Sequence, residues 1–441
     1  MKAVFVTLGC KVNQYESRIL EERFAKAGIE SAKNGEKADF CIINSCTVTA
    51  SGDKKTRQML RRLKRQHPDA VMVLTGCYPQ AFPQEAAGLE EADIVTGSTN
   101  RAGLLDLVQI YLQNHQRIVQ IIPHQKGEAF EKMSANRFSE RTRAFVKIQD
   151  GCDRYCAYCI IPALRGKYRS RRMEDILTEA KALSDSGVKE CIVIAQDITR
   201  YGIDLYKEKK LPELLRELCK LDFHWIRLHY LYPDSITDAL IDTIASEPKI
   251  CKYMDIPIQH CNDDILRAMR RRETKVGLHQ LFTKLRSRIP GLVLRTTVIT
   301  GLPYEDEAAF EELCDFLQEE KIQRAGAFPY SPEEGTPAAK MLNRVDSDEA
   351  QSRAELVMQL QSQVMDAFND TRLGTTLEVL CDGFDPQAMA YVGRSYAESP
   401  GIDGVIYFTA DRDVQSGQFV PVRITGTMDG NLTGEVIETE E

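Results

Sequence analysis

The sequence has 441 residues, 43% of them hydrophobic, and a net charge of −8. This length predicts two to four domains, each with enough apolar side chains for a core. No apolar run approaches the about 20 residues that a membrane-spanning helix needs, and the first residues lack a secretory signal. Because thirteen cysteines in such a chain are more typical of ligands or core positions than of disulfides, we expect a cytoplasmic protein without a membrane partner.

Residues 1–100 alternate apolar runs with helical stretches, which predicts a parallel sheet covered by helices. The predicted strands are Ala3–Leu8, Phe40–Asn44, Val71–Thr75 and Ile94–Thr96. The first three lead into Cys10, Cys46 and Cys77. Since the carboxyl ends of parallel strands lie at one edge of a sheet, these thiols are candidate ligands of a shared metal site. Three buried core cysteines are the alternative.

A second alternating series begins at Ala144, after a polar stretch around Ser134–Arg143 that predicts a linker. Its six apolar runs predict a full or partial (β/α) barrel with an active site at the carboxyl ends of the strands. The predicted strands are Ala144–Gln149, Glu190–Ala195, Trp225–Tyr230, Tyr253–Ile258, Leu292–Ile299 and Ala325–Phe328.

Three further cysteines, Cys152, Cys156 and Cys159, directly follow the first strand of this series. Three thiolates on one loop can hold three irons of a [4Fe–4S] cluster and leave the fourth iron open to a small molecule. Structural zinc is the alternative, but a zinc site of that kind has four ligands, and no nearby Cys or His supplies the fourth. The spacing therefore favours a cluster.

The last hundred or so residues show a different pattern from the two α/β series. Ser347–Arg372 predicts a long connecting helix, and the Gly-punctuated runs beyond it predict a small β-barrel. The predicted fold class is α/β in three parts: an N-terminal parallel-sheet domain over residues 1–135, a partial (β/α) barrel with its connector helix over 140–372, and a small β-barrel over 373–441.

The Cys-x-x-x-Cys-x-x-Cys motif at residues 152–159 resembles the signature of the radical S-adenosylmethionine (SAM) superfamily. The resemblance implies that Cys152, Cys156 and Cys159 bind a catalytic [4Fe–4S] cluster whose open iron chelates SAM. One electron, from a donor such as flavodoxin or ferredoxin, then cleaves SAM to a 5′-deoxyadenosyl radical. Tyr158 matches the aromatic residue that packs beside the adenine in that superfamily.

Nearly the whole chain resembles the methylthiotransferases of this superfamily, which replace a C–H hydrogen with a methylthio group. The resemblance implies that Cys10, Cys46 and Cys77 bind a second [4Fe–4S] cluster, which handles the sulfur. It also implies that residues 144–345 form the radical SAM barrel and that 373–441 form a TRAM domain for substrate recognition. A non-enzymatic RNA-binding protein with structural zinc is the competing hypothesis.

Different segments of the chain resemble two different branches of these enzymes. The segments Leu-Gly-Cys10-Lys-Val-Asn13 and Asn44-Ser-Cys46-Thr-Val-Thr are similar to the branch that modifies threonylcarbamoyladenosine in tRNA. The other branch, which modifies an aspartate of ribosomal small-subunit protein twelve, usually has Pro-Lys-Asn after the first cysteine. From about Glu174 onward the resemblance is to this ribosomal-protein branch, including Tyr391-Val-Gly-Arg-Ser-Tyr-Ala-Glu-Ser-Pro-Gly-Ile-Asp in the TRAM domain.

The charge of the last seventy residues favours the ribosomal protein. Residues 372–441 contain four Arg and twelve Asp or Glu, whereas a module that grips a phosphate backbone should be basic. Since ribosomal proteins are typically basic, an acidic module suits one as its partner; tRNA is the alternative partner.

Basic runs elsewhere keep RNA contact open. They lie at residues 54–65, 165–172 and 267–275. Most such runs are solvated faces, and cations next to the triplet would also stabilise an anionic cluster and a SAM carboxylate.

Three other residues are weaker candidates for binding SAM. Gln196 and Asp197 end a predicted strand at the catalytic rim, where a helix cap is the alternative role. Gly301 lies in a segment that contacts SAM in the resembling families, although Gly-Leu-Pro-Tyr-Glu stands here where Gly-Phe-Pro-Gly-Glu is more usual.

Overall fold

The N-terminal domain is an open parallel sheet with helices on both faces. The computed structural model describes residues 1–33, 35–47, 50–133 and 142–437. The strands are β1 (Lys2–Thr7), β2 (Glu30–Ser31), β3 (Phe40–Ser45), β4 (Val71–Gly76), β5 (Ile94–Thr96) and β6 (Ile118–Gln120). The helices are α1 (Lys11–Lys26), α2 (Ala50–Gln66), α3 (Cys77–Ala81), α4 (Pro83–Ala87) and α5 (Leu104–Asn114).

The strand order β2-β1-β3-β4-β5-β6 makes β1, β3 and β4 consecutive neighbours. Their alternate side chains enter two separate apolar cores, one on each face of the sheet. The four inner strands match the predicted runs to within two residues, whereas β2 and β6 escaped prediction because they are only two and three residues long and partly exposed. The predicted linker at Ser134–Arg143 lies largely outside the described residues.

The central domain contains a second parallel sheet. Its strands are β7 (Arg143–Lys147), β8 (Gln149–Asp150), β9 (Arg169–Ser170), β10 (Glu190–Ile194), β11 (Trp225–Leu228), β12 (Ile250–Asp255), β13 (Val293–Thr300) and β14 (Arg324–Pro329). Its helices are α6 (Ile161–Arg165), α7 (Met173–Asp185), α8 (Ile203–Tyr206), α9 (Leu211–Cys219), α10 (Asp238–Ser246), α11 (Asp263–Ala268), α12 (Lys275–Arg288) and α13 (Glu307–Glu320).

Six of these strands form the open sheet β14-β13-β12-β11-β10-β7, and β8 pairs only with β9. The barrel is therefore partial. One face of the sheet and the helices around it bury a large apolar core. At the β7 edge, the other face is covered by α1 of the N-terminal domain, since Val12, Tyr15 and Ile19 pack against side chains of β7 and β10.

The long helix α14 (Ser347–Asp370) is more than a connector. Val357 joins the central core, the Thr300 hydroxyl donates to the Ala350 carbonyl at 2.9 Å, and Arg353 pairs with the buried Glu305 at 3.0 Å. The helix therefore belongs to the wall of the partial barrel. Sequence reasoning missed this because its apolar residues are sparse and only the fold brings their partners near.

The C-terminal domain is a closed barrel in the order β15-β16-β17-β19-β18. Its strands are β15 (Thr376–Asp385), β16 (Ala390–Arg394), β17 (Ile406–Thr409), β18 (Phe419–Met428) and β19 (Asn431–Val436). The predicted fold class, with two parallel-sheet α/β units and a small β-barrel, is confirmed. Within the described residues, no helix is both long and apolar enough to cross a membrane.

The loop between β16 and β17 docks this barrel onto the central sheet, on the face opposite the helix-packed core. Arg227 donates to the Tyr396 carbonyl at 2.7 Å, and Tyr253 donates to Asp403 at 2.6 Å. At its base, the buried Glu190 accepts hydrogen bonds from Arg227 at 2.6 Å and from Arg394 at 2.9 Å. The two domains thus share a buried charged interface.

Glu398 in the same loop predicts an acid-sensitive interface. Burial alone would raise the pKa of Glu398, but the charges of Arg372 and Arg324 outweigh burial and lower it from 4.5 to about 2. A carboxyl group with a depressed folded-state pKa stabilises the fold fully above its unfolded value, and this stabilisation is lost as the pH falls through the folded value. We therefore expect Glu398→Gln to flatten the loss of stability between pH 4.5 and 2, measured by urea unfolding. An unchanged slope would contradict this.

Candidate active site at two cysteine sets

The Cys152–Cys159 loop is held by backbone hydrogen bonds. Gly151 has a φ of +74°, and a Cβ there would overlap the carbonyl oxygens of Lys167 and Gly166, so only glycine fits. The Cys152 amide donates to the Gly166 carbonyl at 3.2 Å, and the Cys159 amide donates to the Cys156 carbonyl at 3.0 Å. The loop is therefore built into the wall of the central domain.

The three thiols of this loop lie close enough to interact electrostatically. Burial raises the pKa of the Cys152 thiol to about 12, and burial raises the pKa of Cys159 as well. As bare thiolates they would be strongly disfavoured, whereas a bound metal deprotonates a coordinating thiol outright. The donor set thus fits a metal-bound group.

Two residues within the loop, Arg154 and Tyr158, contact two residues outside it, Tyr232 and Arg271. The Cys156 sulfur lies 3.6 Å from the Tyr232 hydroxyl. The guanidinium of Arg154 lies 3.9 Å, and that of Arg271 4.4 Å, from the centre of the Tyr232 ring. Arg271 also donates to the Tyr158 hydroxyl at 3.2 Å. Arg154 and Tyr232 were not singled out from the sequence, because their partners are distant along the chain.

Polar residues just beyond the barrel strands differ in whether their side chains already have hydrogen-bond partners, and Gln196 and Asp197 are the two predicted SAM contacts among them. The side-chain oxygens of Gln196 and Gln259, both just beyond barrel strands, are buried and have no hydrogen-bond partner among the described residues. Asp197 instead accepts from the Thr199 amide at 3.0 Å as a cap and from Arg154 at 2.9 Å. The two glutamines are therefore the available acceptors at this rim.

Gly301 has a structural reason of its own. Its φ is +77°, and a Cβ there would overlap Ala350 of α14. Its amide donates to the Glu305 carboxylate at 2.8 Å. The glycine thus allows α14 to approach the barrel closely, and its contact with SAM stays a prediction.

The second cysteine set lies at one edge of the N-terminal sheet. Cys10, Cys46 and Cys77 follow the neighbouring strands β1, β3 and β4. Gly9 has a φ of +93°, and a Cβ there would overlap the Cys46 sulfur. Cys10 and Cys77 interact electrostatically, and burial raises the pKa of Cys77. The strand order thus places at one edge of the sheet three cysteines that span 67 residues of sequence, from Cys10 to Cys77. Their binding of a shared cluster stays a prediction.

A web of amide and hydroxyl groups ties these three strand ends to one another. The Asn13 side-chain amide donates to the Leu8 carbonyl at 2.8 Å and to the Ser45 carbonyl at 3.0 Å. The Ser45 hydroxyl donates to the Thr75 carbonyl at 2.6 Å and accepts from the Tyr78 amide at 3.2 Å. The backbone beside each cysteine is therefore fixed.

Cys77 of the second set contacts the segment that follows the triplet. Cys77 packs against Ile160 and Leu164, which directly follow the triplet, and Arg165 donates to the Cys77 sulfur at 3.7 Å. All thirteen cysteines, each within the described residues, are free thiols. In the part of the chain that the structure describes, no three Cys, His, Asp or Glu side chains converge as ligands of a single metal ion.

Comparisons with known proteins agree with this organisation. Residues 2–97 match Uncharacterized protein family UPF0004, residues 146–317 match the Radical SAM superfamily, and residues 373–437 match the TRAM domain.

"Ribosomal protein uS12 methylthiotransferase RimO" of Clostridium tetani is 36% identical over 98% of this chain and 97% of that protein. The protein of the same name in Pelotomaculum thermopropionicum is 40% identical over 99% of both. The chain belongs to the radical SAM methylthiotransferase family. It is therefore an enzyme, and its family uses SAM and a [4Fe–4S] cluster.

Solved structures share the fold of this methylthiotransferase. The radical SAM methyltransferase TsrM from Kitasatospora setae, with tryptophan substrate and aza-SAM bound, has a TM-score of 0.58 at 14% identity and covers 76% of this chain and 74% of its own. The cobalamin-dependent SAM radical enzyme OxsB, with aqua-cobalamin bound, has a TM-score of 0.51 at 12% identity. The match covers 81% of this chain and 56% of OxsB. At these identities the likeness concerns the fold alone.

The basic run after the triplet does not face solvent as a whole. Arg165, Arg169 and Arg171 are buried. They pair with Glu16, Asp150 and Glu179 respectively. These three side chains are therefore not RNA contacts. Their burial fits the other predicted use of the run, which is to stabilise negative charge beside the cysteines. In contrast, Lys54, Lys55, Arg61, Arg62 and Arg65 lie on an exposed face of α2.

Gly9 provides a test of the N-terminal set. We expect Gly9→Ala to lower the iron content of anaerobically reconstituted enzyme from about eight to about four per chain, because the methyl group would displace the Cys46 sulfur. The control is Gly28→Ala, which has a similar φ of +82° and nothing within 4 Å. It should cost about 1–2 kcal/mol of stability and keep its iron. Equal iron in the two variants would contradict the prediction.

Proposed function

We propose that this methylthiotransferase inserts a methylthio group at an aspartate of ribosomal protein uS12, using two [4Fe–4S] clusters. Cys152, Cys156 and Cys159 would hold the catalytic cluster, and Cys10, Cys46 and Cys77 the second one. The observation that carries the proposal is the packing of Cys77 against Ile160 and Leu164. It brings the second cysteine set up to the segment that carries the first.

The cofactors, when bound, supply the one-electron chemistry that generates a radical able to abstract hydrogen from an unactivated C–H bond. The protein's own residues would position the reactants and exclude water from them. The buried acceptors of Gln196 and Gln259 suit the amino or ribose donors of SAM, and Tyr158, held by Arg271, suits its adenine. Asp197 and Gly301 would support this rim through Arg154 and Glu305. An external one-electron donor such as flavodoxin or ferredoxin would supply the electron that starts the reaction.

The surface charge of the C-terminal barrel supports a protein substrate. Of its three arginines, Arg394 is buried in an ion pair. Arg412 and Arg423 are exposed, and so are five carboxylates: Glu378, Asp411, Asp413, Asp429 and Glu435. The described surface available to a partner therefore keeps the acidic excess of the composition. Such a face repels a phosphate backbone and attracts a basic ribosomal protein.

A paired assay tests the substrate. Reconstituted enzyme with SAM, a sulfide source and a reductant is offered either uS12 or tRNA carrying threonylcarbamoyladenosine. We expect a mass gain of one methylthio group on the uS12 aspartate alone. A product on tRNA alone would overturn the proposed substrate, and the enzyme with Cys152, Cys156 and Cys159 replaced by Ala controls for background.

The domain bounds 1–135, 140–372 and 373–441 also stay proposals. Limited proteolysis should cut the chain near these bounds and yield fragments that correspond to the three parts. The zinc alternative has its own measurement: anaerobically purified enzyme that holds zinc but no iron, and that does not cleave SAM under strong reductant, would support it instead.

A further inference from the structure

Arg165 connects the two cysteine sets. It is six residues beyond Cys159 in the sequence and is 1% exposed. Its guanidinium donates to Glu16 at 2.5 Å, to the Asn13 side-chain oxygen at 2.6 Å and to the Cys77 sulfur at 3.7 Å. All three acceptors belong to the N-terminal domain. One side chain from the segment after the triplet thus reaches a predicted ligand of the other set.

The surroundings of Arg165 hold more positive than negative charge. Two buried carboxylates, Glu16 and Asp150, lie among four buried cations, which are Arg101, Lys147, Arg165 and Arg169. The partly exposed Glu128, 3.8 Å from Arg169, is a third carboxylate. Uncompensated buried charge is strongly destabilising, so this surplus among the described residues indicates an anionic occupant.

Arg101 gives a second, independent indication. Its side chain is 1% exposed, and it lies 3.0 Å from Glu16. Its Nε has no hydrogen-bond partner within the described residues, and its charge acts on Cys77. Buried donors without acceptors are rare in native proteins. A cluster held by three thiolates would supply both the missing acceptors and the missing negative charge.

We propose that Arg165 is a positioning residue that raises the reduction potential of the cluster held by Cys10, Cys46 and Cys77. This inference rests on the second cluster of the proposed function. Reduction adds negative charge to a cluster, and a hydrogen bond to a ligand sulfur together with a nearby cation stabilises the reduced state. Because Arg165 follows the triplet on the same short segment, the geometry that fixes one set also sets the electrostatics of the other.

The test isolates the second cluster. In full-length enzyme with Cys152, Cys156 and Cys159 replaced by Ala, the midpoint potential is measured by redox titration followed by electron paramagnetic resonance. We expect Arg165→Gln to shift the midpoint to more negative potential and Arg165→Lys, which keeps the charge, to shift it less. The control Arg172→Gln changes a neighbouring arginine whose side chain is 58% exposed and should leave the midpoint unchanged.

The outcomes separate the inference from the proposed function. If the background protein with Arg165 intact retains no iron, the second cluster itself is wrong. If it retains a cluster and the Arg165→Gln and Arg172→Gln midpoints coincide, the role of Arg165 is wrong. Should Arg165→Gln fail to fold, Arg165→Met, which also removes the charge, decides: a midpoint equal to that of the background protein overturns the role, and a more negative one supports it.

Discussion

Replacing Cys152, Cys156 and Cys159 together with Ala is expected to abolish SAM cleavage while leaving about four of about eight irons per chain. The triplet loop adjoins the rim at Gln196, since Arg154 between Cys152 and Cys156 donates to Asp197 at 2.9 Å, and the Gln196 side-chain oxygen has no hydrogen-bond partner within the described residues. The other set follows strands of the N-terminal sheet, and its proposed cluster handles the sulfur. The measurements are iron content and the formation of 5′-deoxyadenosine under strong reductant.

Two further variants sharpen this prediction. Replacing Cys10, Cys46 and Cys77 should leave SAM cleavage intact but remove methylthiolation. Cys314→Ala changes a half-buried cysteine outside both sets and should leave about eight irons in place. A plateau near four irons in the unaltered enzyme would contradict the second cluster, and SAM cleavage by the triplet variant would contradict the first.

The second large effect is expected at Glu190, where replacement with Gln should destabilise the chain by about 3–5 kcal/mol. Glu190, Arg227 and Arg394 are each no more than 1% exposed. Burial would raise the pKa of Glu190, but Arg394 and Arg227 lower it to about 2. The neutral side chain would leave two buried guanidinium groups without their shared counter-charge.

Trp225 makes this effect measurable. It is the single tryptophan of the chain and lies edge-on to Phe419 of the C-terminal barrel at 4.8 Å. Its fluorescence during urea unfolding therefore reports on the contact between the central domain and the barrel. We expect the Glu190→Gln variant to unfold at a markedly lower urea concentration than the unaltered enzyme.

Glu378→Gln is the matched control at the same contact. It removes the same charge, but the Glu378 side chain is 53% exposed and its partner His224 is 43% exposed. Exposed ion pairs contribute about 0–1 kcal/mol, so the transition should barely move. Equal shifts in the two variants would mean that burial does not decide the strength of this interface.

The structure also brings together the two segments that resembled different branches. Lys11, in the segment similar to the tRNA-modifying branch, donates to the Pro400 carbonyl at 3.1 Å. Pro400 lies in the segment similar to the ribosomal-protein branch. The mixed features therefore meet at one contact beside Cys10. Full-length relatives at 36% and 40% identity carry the ribosomal-protein name, which weighs against the tRNA alternative.

The sequence alone predicted the order of the parts and singled out the two cysteine sets. Alternating apolar runs report local burial, and they placed the inner strands of both parallel sheets to within a few residues. Cys10, Cys46 and Cys77 could be expected to meet because strands of a parallel sheet end at a common edge. Spacing likewise singled out Cys152, Cys156 and Cys159, since a loop of eight residues keeps its thiols near one another.

Tertiary structure decided which charges are buried and what they face. Arg165, Arg169 and Arg171 read as one basic run, yet they are buried against carboxylates that lie 8 to 149 residues away. The sequence also did not predict three other features: the barrel wall formed by α14, the pairing of Glu190 with Arg394, and the contact of Arg165 with Cys77. Periodicity carries information about a residue's own helix or strand. These contacts join side chains from separate elements, and their partners are set only when the three domains pack together.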